Sequence, residues 1–206
     1  MGLYGKYVLP RFLNCACGTK AFNYQRQKVV PQASGIVLEV GIGSGLNIPF
    51  YDQSKVKKVI GLDPSAELNA MARELVDECA FDVDFILSGA ESIPLPDDYV
   101  DTVLITYTMC TIPDALAANK EMRRVLKPEG KLIFCEHGLA PDKNVSKWQN
   151  RIDPFWSKIA GGCHLNRNIP DLIKSAGFHI STMDEMYLPS TPKFAGYNYW
   201  GIASDD

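Results

Sequence analysis

The sequence lacks an excess of positive charge and any long apolar run. Its 206 residues carry 21 Lys and Arg against 24 Asp and Glu, which gives a net charge of −3. Such a surface gains little from releasing the counterions of a polyanion, so we do not expect nucleic acid as a partner. No stretch of about 18 apolar residues occurs, so no transmembrane segment is predicted, although peripheral membrane contact stays open. Without a signal-peptide core, the expected location is the cytoplasm.

The sequence also lacks the cysteine spacing of a disulfide framework or a zinc knuckle. Cys15 and Cys17 form a C-x-C pair, which is tighter than the C-x₂-C pair of zinc sites, and the other four of the six cysteines stand singly. We therefore expect free thiols in a reducing compartment and no metal site. With 46% hydrophobic and 22% charged residues, the composition is that of a soluble globular chain and excludes disorder or a fibrous fold.

Apolar runs alternate with helical patterns along the chain, which is typical of a parallel sheet with crossover helices. The predicted strands are 36–40, 56–62, 83–87, 99–107, 131–137, 178–187 and 194–203. The predicted helices are 68–79 behind a cap at Ser65, 115–126, and 169–176. Residues 127–130 (Lys-Pro-Glu-Gly) are expected to end the second helix and turn into the fifth strand. The predicted fold is α/β, a Rossmann-like, doubly wound, mostly parallel sheet of seven strands, with an N-terminal helical segment and a helical insertion after strand five.

A glycine-rich loop directly follows the first predicted strand. Residues 41–45 read Gly-Ile-Gly-Ser-Gly, and Glu39 stands two residues before the first glycine. Glycines at every second position permit unusual backbone angles and let the main chain approach a ligand closely. The dinucleotide pattern G-x-G-x-x-G would need a third glycine where Leu46 stands. The loop therefore suits a ligand that has no pyrophosphate.

Two further motifs follow the second and third predicted strands. Asp63, before Pro64 and Ser65, ends the second strand, where a carboxylate can accept hydrogen bonds from both hydroxyls of a ribose. Residues 89–91 (Gly-Ala-Glu) come after the third strand. Each motif alone is more often a turn or a helix cap. All three in order, each at the carboxyl end of a strand, favour one shared ligand site.

With these motifs in this order, residues 34–140 resemble the class I S-adenosylmethionine-dependent methyltransferases, including the quinone-biosynthesis-like methyltransferase type 11 family. The segment 124–131 (Arg-Val-Leu-Lys-Pro-Glu-Gly-Lys) is part of that resemblance. The resemblance implies S-adenosylmethionine as cofactor, with its methionine part on the glycine loop, its ribose on Asp63 and its adenine beside residues 89–91. Many quinone-biosynthesis relatives have Asp where Gly89 stands, so the adenine contact passes to Glu91 or to backbone. The full predicted cofactor-binding set is Glu39, Gly41, Gly43, Gly45, Asp63, Pro64, Ser65, Gly89, Ala90, Glu91 and Thr106.

Later segments narrow the resemblance to the methyltransferase-like subgroup that includes thiol S-methyltransferases. These segments are Cys110-Thr111-Ile112, Glu136-His137, Trp148, Asp153-Pro154, Trp156, Gly162-Cys163 and Asn166-Arg167. The similarity covers most of residues 25–203 and implies methyl transfer to a small acceptor, with an apolar thiol preferred. A quinone precursor, a lipid amine and a non-catalytic cofactor-binding protein remain alternatives. Neither the acceptor nor the oligomeric state follows from the sequence.

The candidate catalytic groups are Tyr107 and His137, which end strands four and five, and Cys110, which follows strand four. In this fold the transferred methyl group lies near those strand ends. An alkyl thiol with a pKa of about 8.5 is already partly ionised, whereas a phenol or a carbon acid would need a base. His164 and Asp153 are further candidates, each with a structural role as the alternative.

The whole chain, 1–206, is expected to form one domain with three parts. Residues 1–34 are a lid segment, residues 35–140 the cofactor-binding core, and residues 141–206 the insertion helices and closing strands. We expect the lid to cover an apolar acceptor pocket with Tyr24, Cys110 and His137 near its floor. The aromatic residues expected to form that lid are Tyr4, Tyr7, Phe12, Trp148, Phe155 and Trp156.

Overall fold

The computed structural model describes residues 17–205, which form one seven-stranded sheet with helices on both faces. The strands are β1 (Gly35–Val40), β2 (Val56–Leu62), β3 (Asp82–Ile86), β4 (Val100–Thr106), β5 (Leu126–His137), β6 (His179–Tyr187) and β7 (Tyr197–Ser204). The α-helices are α1 (Lys20–Val29), α2 (Ala66–Arg73), α3 (Ala115–Val125), α4 (Lys143–Ile159) and α5 (Ile169–Ser175). The predicted seven-stranded, mostly parallel sheet is confirmed.

The strand order is β3-β2-β1-β4-β5-β7-β6, and only β7 runs antiparallel to its two neighbours. The winding reverses between β1 and β4, which lie side by side with Val40 paired to Ile105. Open α/β sheets bind ligands in the crevice beyond the carboxyl ends of the strands at such a switch point. The topology therefore places the site beyond the ends of β1 and β4.

Both faces of the central strands β1 and β4 are largely buried, which explains why these strands read as continuous apolar runs. On one face, Leu38 of β1 and Val103 of β4 pack in a cluster that also includes residues of α3 and α5. On the other face, Val37 and Leu104 pack in a second cluster with Val29 of α1. Because side chains alternate along a strand, successive residues contribute to opposite clusters.

Local signals set the element boundaries close to the predicted ones. Ser65 caps α2, since its hydroxyl accepts a hydrogen bond from the Leu68 N–H at 3.2 Å. The helix ends at Arg73, earlier than the periodicity predicts. The predicted break at 127–130 is confirmed: β5 begins at Leu126, but between Leu126 and Lys131 its partner strand advances only from Val100 to Thr102. Residues 127–130 therefore bulge out of the pairing.

The insertion helix α4 is held to the sheet edge by two buried polar side chains. The Gln149 amide donates to the carbonyls of Gly138, Leu165 and Phe194 at 2.9–3.0 Å. Asp153 accepts the Leu165 N–H at 2.7 Å and pairs with His164 Nδ1 at 2.8 Å. These bonds give Asp153 a structural role, fixing the loop that follows α4. Within residues 17–205, no helix has the length and apolar character needed to cross a bilayer.

Candidate active site

The glycine loop after β1 contains three glycines in the left-handed region, with φ of +75° at Gly41, +54° at Gly43 and +81° at Gly45. A Cβ at Gly41 would lie 2.2 Å from Thr108 Oγ1, and one at Gly45 would lie 2.8 Å from Ile48 Cδ1. At Gly43 the nearest atom would be 3.9 Å away. The outer two glycines are therefore required by packing, while Gly43 faces open space.

That space is a cavity of about 140 Å³ at the carboxyl ends of β1 and β4. Its walls combine the glycine loop, the end of β2, the end of β4 and residues of the N-terminal segment. The lining residues are Cys17, Arg26, Glu39, Gly41, Ile42, Gly43, Ser44, Leu46, Asn47, Asp63, Leu68, Thr106, Tyr107, Thr108 and Thr111. The structure thus brings together five residues of the predicted cofactor-binding set: Glu39, Gly41, Gly43, Asp63 and Thr106.

Asp63 lies at the end of β2 and faces the glycine loop. Its Oδ2 accepts the Gly43 N–H at 3.0 Å, and its Oδ1 accepts the Ser65 N–H at 2.8 Å. Burial raises the pKa of this carboxyl group, although both backbone donors act in the opposite direction. The two hydrogen bonds fix the carboxylate at the cavity wall. Pro64 and Ser65 are absent from that wall, and Ser65 serves as the helix cap.

Arg26 and Asn47 form a buried polar network beside the cavity that the sequence did not reveal. Arg26, on α1, donates from Nε to Asn47 Oδ1 at 3.0 Å and from Nη1 to the Cys17 carbonyl at 2.6 Å. Asn47 Nδ2 in turn donates to Glu39 Oε1 at 2.9 Å and to Thr106 Oγ1 at 3.0 Å. A cation at 3% exposure is unusual and indicates a role at the cavity.

Glu39 is fully buried and accepts hydrogen bonds from this network. Its Oε2 accepts a hydrogen bond from the Tyr51 hydroxyl at 2.6 Å, in addition to the bond from Asn47. Burial raises the pKa of Glu39 to about 7, against the opposing effect of these hydrogen bonds. Both carboxylate oxygens therefore already have protein donors. Glu39 thus anchors Asn47 and Tyr51, which follow the glycine loop in the chain.

The predicted adenine segment lies apart from the cavity. Residues 89–91 are absent from its walls, and Glu91 Oε1 instead accepts the Asp114 N–H at 3.4 Å. A Cβ at Gly89 would lie 2.8 Å from Glu91 Oε2, so this glycine accommodates the neighbouring carboxylate. In this conformation the segment contacts the start of α3. Gly89, Ala90 and Glu91 therefore do not line this cavity, and their contact with the adenine stays a prediction.

Tyr107 borders the cavity, and its hydroxyl is engaged by another residue. The hydroxyl donates to Asn198 Oδ1 of β7 at 2.8 Å, and burial raises the pKa of the phenol well above its ordinary value. The backbone φ of +53° turns the chain at the end of β4. A hydroxyl bound to a buried amide is poorly placed to exchange protons with an acceptor, so we assign Tyr107 a role in the cavity wall.

Cys110 and His137 lie together with Cys163, behind the cavity wall. His137 Nε2 is 3.4 Å from Cys163 Sγ, and the three side chains offer ligand-type atoms within 4.8 Å of one another. The contact with Cys110, and then the contact with His137, lower the pKa of Cys163. Burial lowers the pKa of His137, but contacts with Cys163 and Glu136 outweigh it and raise the value. In the sequence, Cys163 was noted only as part of the Gly162-Cys163 segment and not as a site residue. It lies 53 positions after Cys110, so no local pattern links the two.

Other predicted pocket residues lie elsewhere. Tyr24 is 59% exposed, with the Lys28 ammonium 4.7 Å from its ring, so it does not form a pocket floor. Trp148 and Phe155, on α4, are 58% and 69% exposed and do not line this cavity. Trp156 packs edge-on against Phe194. Tyr4, Tyr7 and Phe12 lie outside the described residues, so the N-terminal part of the predicted lid stays a prediction.

Comparisons with known proteins agree with this geometry. A family model described as a methyltransferase domain matches residues 38–134, which include the glycine loop, Asp63 and the end of β4. Thiol S-methyltransferase TMT1B of Rattus norvegicus is 31% identical over 146 residues, 69% of this chain and 59% of the relative. The human TMT1B is 29% identical over 184 residues, 84% of this chain and 75% of the relative. The chain thus spans between about three fifths and three quarters of the length of these two relatives.

A solved structure supports the same fold. An S-adenosylmethionine-dependent methyltransferase from Thermotoga maritima superposes with a TM-score of 0.68 at 20% identity, covering 98% of this chain and 99% of that one. The fit of the cavity to the cofactor is seen at Gly43, where the backbone leaves room for a ligand, and at Asp63, whose carboxylate stands beside it. Sheet order, glycine loop and comparisons together identify the chain as a class I S-adenosylmethionine-dependent methyltransferase.

Proposed function

We propose that this protein transfers the methyl group of S-adenosylmethionine to the sulfur of a small apolar thiol. The observation that carries the proposal is that the carboxylates bordering the cavity are already engaged. Among residues 17–205, the cavity walls contain no histidine, and their two carboxylates are Glu39 and Asp63. Glu39 accepts from Tyr51 and Asn47, and Asp63 accepts from two backbone N–H groups. A wall without a free base favours an acceptor that is nucleophilic without one.

The polar network suggests how the cofactor is oriented. The guanidinium of Arg26 supplies a fixed cation for the α-carboxylate of the methionine part, because planar guanidinium and carboxylate groups pair well. Asp63 supplies acceptors for the ribose hydroxyls at the other end of the cavity. Ile42 and Leu68 offer an apolar surface beside Asp63 for the adenine ring. This orientation directs the methyl group toward the end of β4.

Methyl transfer to a thiol needs no general acid or general base from the protein. S-adenosylmethionine supplies an electrophilic methyl group bound to a positively charged sulfur. A thiol is a few per cent ionised at pH 7 and is intrinsically very nucleophilic, so alignment and exclusion of water are the main requirements. Tyr107, with Phe22 packed 4.5 Å from its ring centroid, provides a rigid apolar wall for that alignment. The thiol S-methyltransferase names of the relatives support the same acceptor class.

An acceptor screen tests the proposal. The purified chain is incubated with S-adenosylmethionine and, separately, an aliphatic thiol, a phenol, a quinol and a lipid-like primary amine, and release of S-adenosylhomocysteine is measured. We expect release with the thiol, rising with pH up to the pKa of the thiol because the thiolate reacts. The Gly43→Ala variant serves as the matched control for cofactor-site turnover. Release with the amine or the quinol alone would overturn the thiol proposal. Release with none of them, despite cofactor binding, would favour a non-catalytic binding protein.

A further inference from the structure

A cluster of two thiols and one imidazole lies beside the cofactor cavity and has no role in the chemistry described so far. Cys110 follows the end of β4, His137 ends β5, and Cys163 lies in the loop after α4. Their sulfur and ring-nitrogen atoms all lie within 4.8 Å of one another. Two thiolates and one imidazole are ligands that a thiophilic divalent cation such as Zn²⁺ prefers.

The separation between His137 and Cys163 is close to that of a tetrahedral zinc site. Bonds of about 2.3 Å to sulfur and 2.0–2.1 Å to nitrogen, at tetrahedral angles, place two sulfurs about 3.8 Å apart and a sulfur and a nitrogen about 3.6 Å apart. His137 Nε2 and Cys163 Sγ are 3.4 Å apart, close to that separation. Only a small side-chain movement would therefore bring these two atoms onto one ion, and Cys110 Sγ lies within 4.8 Å of both.

The backbone already holds the three ligands in place. The His164 N–H donates to the Cys110 carbonyl at 2.9 Å, which ties the loop of Cys163 to the end of β4. The neighbouring Leu165 N–H donates to buried Asp153. Cys110 and His137 are 2% and 8% exposed, so little ordering remains to be done when an ion binds. A preorganised site of this kind loses little entropy on binding.

The cluster adjoins the cofactor cavity from behind its wall. Thr108 and Thr111, on either side of Cys110 in the chain, both line that cavity. Cys17 lines it as well. Cys163 is partly exposed, which leaves one side of the cluster accessible. An ion held here would therefore lie beside the part of the cavity wall that Thr108 and Thr111 form.

We propose that Cys110, His137 and Cys163 bind Zn²⁺ with three protein ligands and leave the fourth coordination position for the acceptor thiolate. Catalytic zinc sites keep such an open position, whereas structural sites are closed by a fourth protein ligand. The zinc site stands on geometry alone, whereas its role toward the acceptor rests on the proposed function.

The step balances without a further reactant. The sulfur of the acceptor thiol binds the zinc ion, and its proton passes to solvent. A lone pair on that sulfur then attacks the methyl carbon of S-adenosylmethionine. The bond between that carbon and the positively charged sulfur breaks, and its electron pair stays on S-adenosylhomocysteine. The neutral thioether product is a weaker ligand than the thiolate and leaves the metal.

Metal binding is tested first, with Co²⁺ as a spectroscopic probe of the reduced full chain. We expect one Co²⁺ per chain with a sulfur-to-cobalt charge-transfer band, and displacement of the probe by one equivalent of Zn²⁺. Cys163→Ser, at the partly exposed position, should roughly halve the band intensity and weaken Zn²⁺ binding at least about 100-fold. Cys110→Ser/Cys163→Ser should abolish the band. Cys79→Ser, outside the cluster, is the matched control and should bind like the parent chain.

Two outcomes would overturn the site. One is a fully reduced chain that binds no Co²⁺ or Zn²⁺ at micromolar concentration. The other is an unchanged band in the double variant. Thermal unfolding of each variant without metal shows whether the fold survives. If the double variant does not fold, the Zn²⁺ affinity of Cys163→Ser decides the test, and an affinity equal to that of the parent chain would overturn the site.

The role toward the acceptor is tested by loading the chain with Zn²⁺ and then removing the ion with a chelator. Thiol methylation should fall at least about tenfold on removal and return when Zn²⁺ is restored, while affinity for S-adenosylhomocysteine stays within about twofold. Activity that is indifferent to the metal would overturn the open-position role. If no thiol is methylated under any condition, the proposed function fails, and the cobalt measurements still decide the metal site on their own.

Discussion

The structure predicts that alanine substitutions at two glycines of the same loop, Gly43 and Gly41, have different effects on stability and on cofactor binding. Replacing Gly43 with Ala adds a methyl group whose nearest neighbour would be 3.9 Å away, so packing does not oppose it. The cost is the left-handed φ of +54°, worth about 1–2 kcal/mol for an L-residue, less about 0.4–1 kcal/mol gained from a stiffer unfolded chain. We therefore expect Gly43→Ala to lose about 1 kcal/mol of unfolding free energy.

Cofactor binding should respond much more strongly to the same change. The added methyl group stands in the cavity, and forcing an extra methyl into a packed site costs about 1–3 kcal/mol, or roughly a 5- to 150-fold loss of affinity. Calorimetry with S-adenosylhomocysteine measures that affinity, and urea unfolding measures the stability.

Gly41→Ala is the matched control. Its Cβ would lie 2.2–2.7 Å from three atoms of the Thr108 side chain, at a φ of +75°, so overpacking adds to the backbone strain. A stability loss of about 2–4 kcal/mol is expected there. The reasoning is refuted if Gly43→Ala binds S-adenosylhomocysteine like the parent chain, or if both variants are destabilised equally.

Three further predictions concern the charged groups of the site. Asp63→Ala should weaken S-adenosylhomocysteine binding about 10- to 100-fold in calorimetry, and a loss of stability with unchanged affinity would make Asp63 only a loop anchor. Arg26→Gln should weaken binding of S-adenosylhomocysteine by a similar factor of about ten or more but leave that of 5′-methylthioadenosine, which has no carboxylate, unchanged; equal losses for both would argue against the carboxylate contact. The pKa of Glu39 rises from 4.5 to about 7 in the folded chain, so the unfolded chain releases this proton first and stability falls as pH rises from 4.5 to 7. In urea unfolding, Glu39→Gln should gain about 3 kcal/mol relative to the parent chain between pH 4.5 and pH 8, and a difference that does not vary with pH would contradict the shift.

Much of the fold was predictable because its signals are local. Buried parallel strands must be apolar on both faces, so β1, β2 and β4 appear as short apolar runs. The bulge at 127–130 follows from Pro and Gly, which interrupt regular pairing. The end of α2 was predicted too late, since helical periodicity continues through residues 75–79 although the α-helix stops at Arg73.

The sequence by itself determined the sheet and two parts of the site. Gly41, Gly43 and Asp63 belong to motifs a few residues long, and each sits at the end of a strand whose position is fixed by its own pattern. The contacts between Asp63 and the Gly43 N–H follow once those strands are neighbours.

Only the tertiary structure decided the groups that depend on long-range contacts. Arg26 meets Asn47 across 21 positions, and Cys110, His137 and Cys163 meet across 53. The hydroxyl of Tyr107 turns to Asn198, 91 positions away. Local sequence patterns cannot predict such contacts, because the contacts arise from the strand order and from the path of the loop after α4. Side-chain direction and proton affinity are set by these neighbours and by burial, which exist only when the chain is folded.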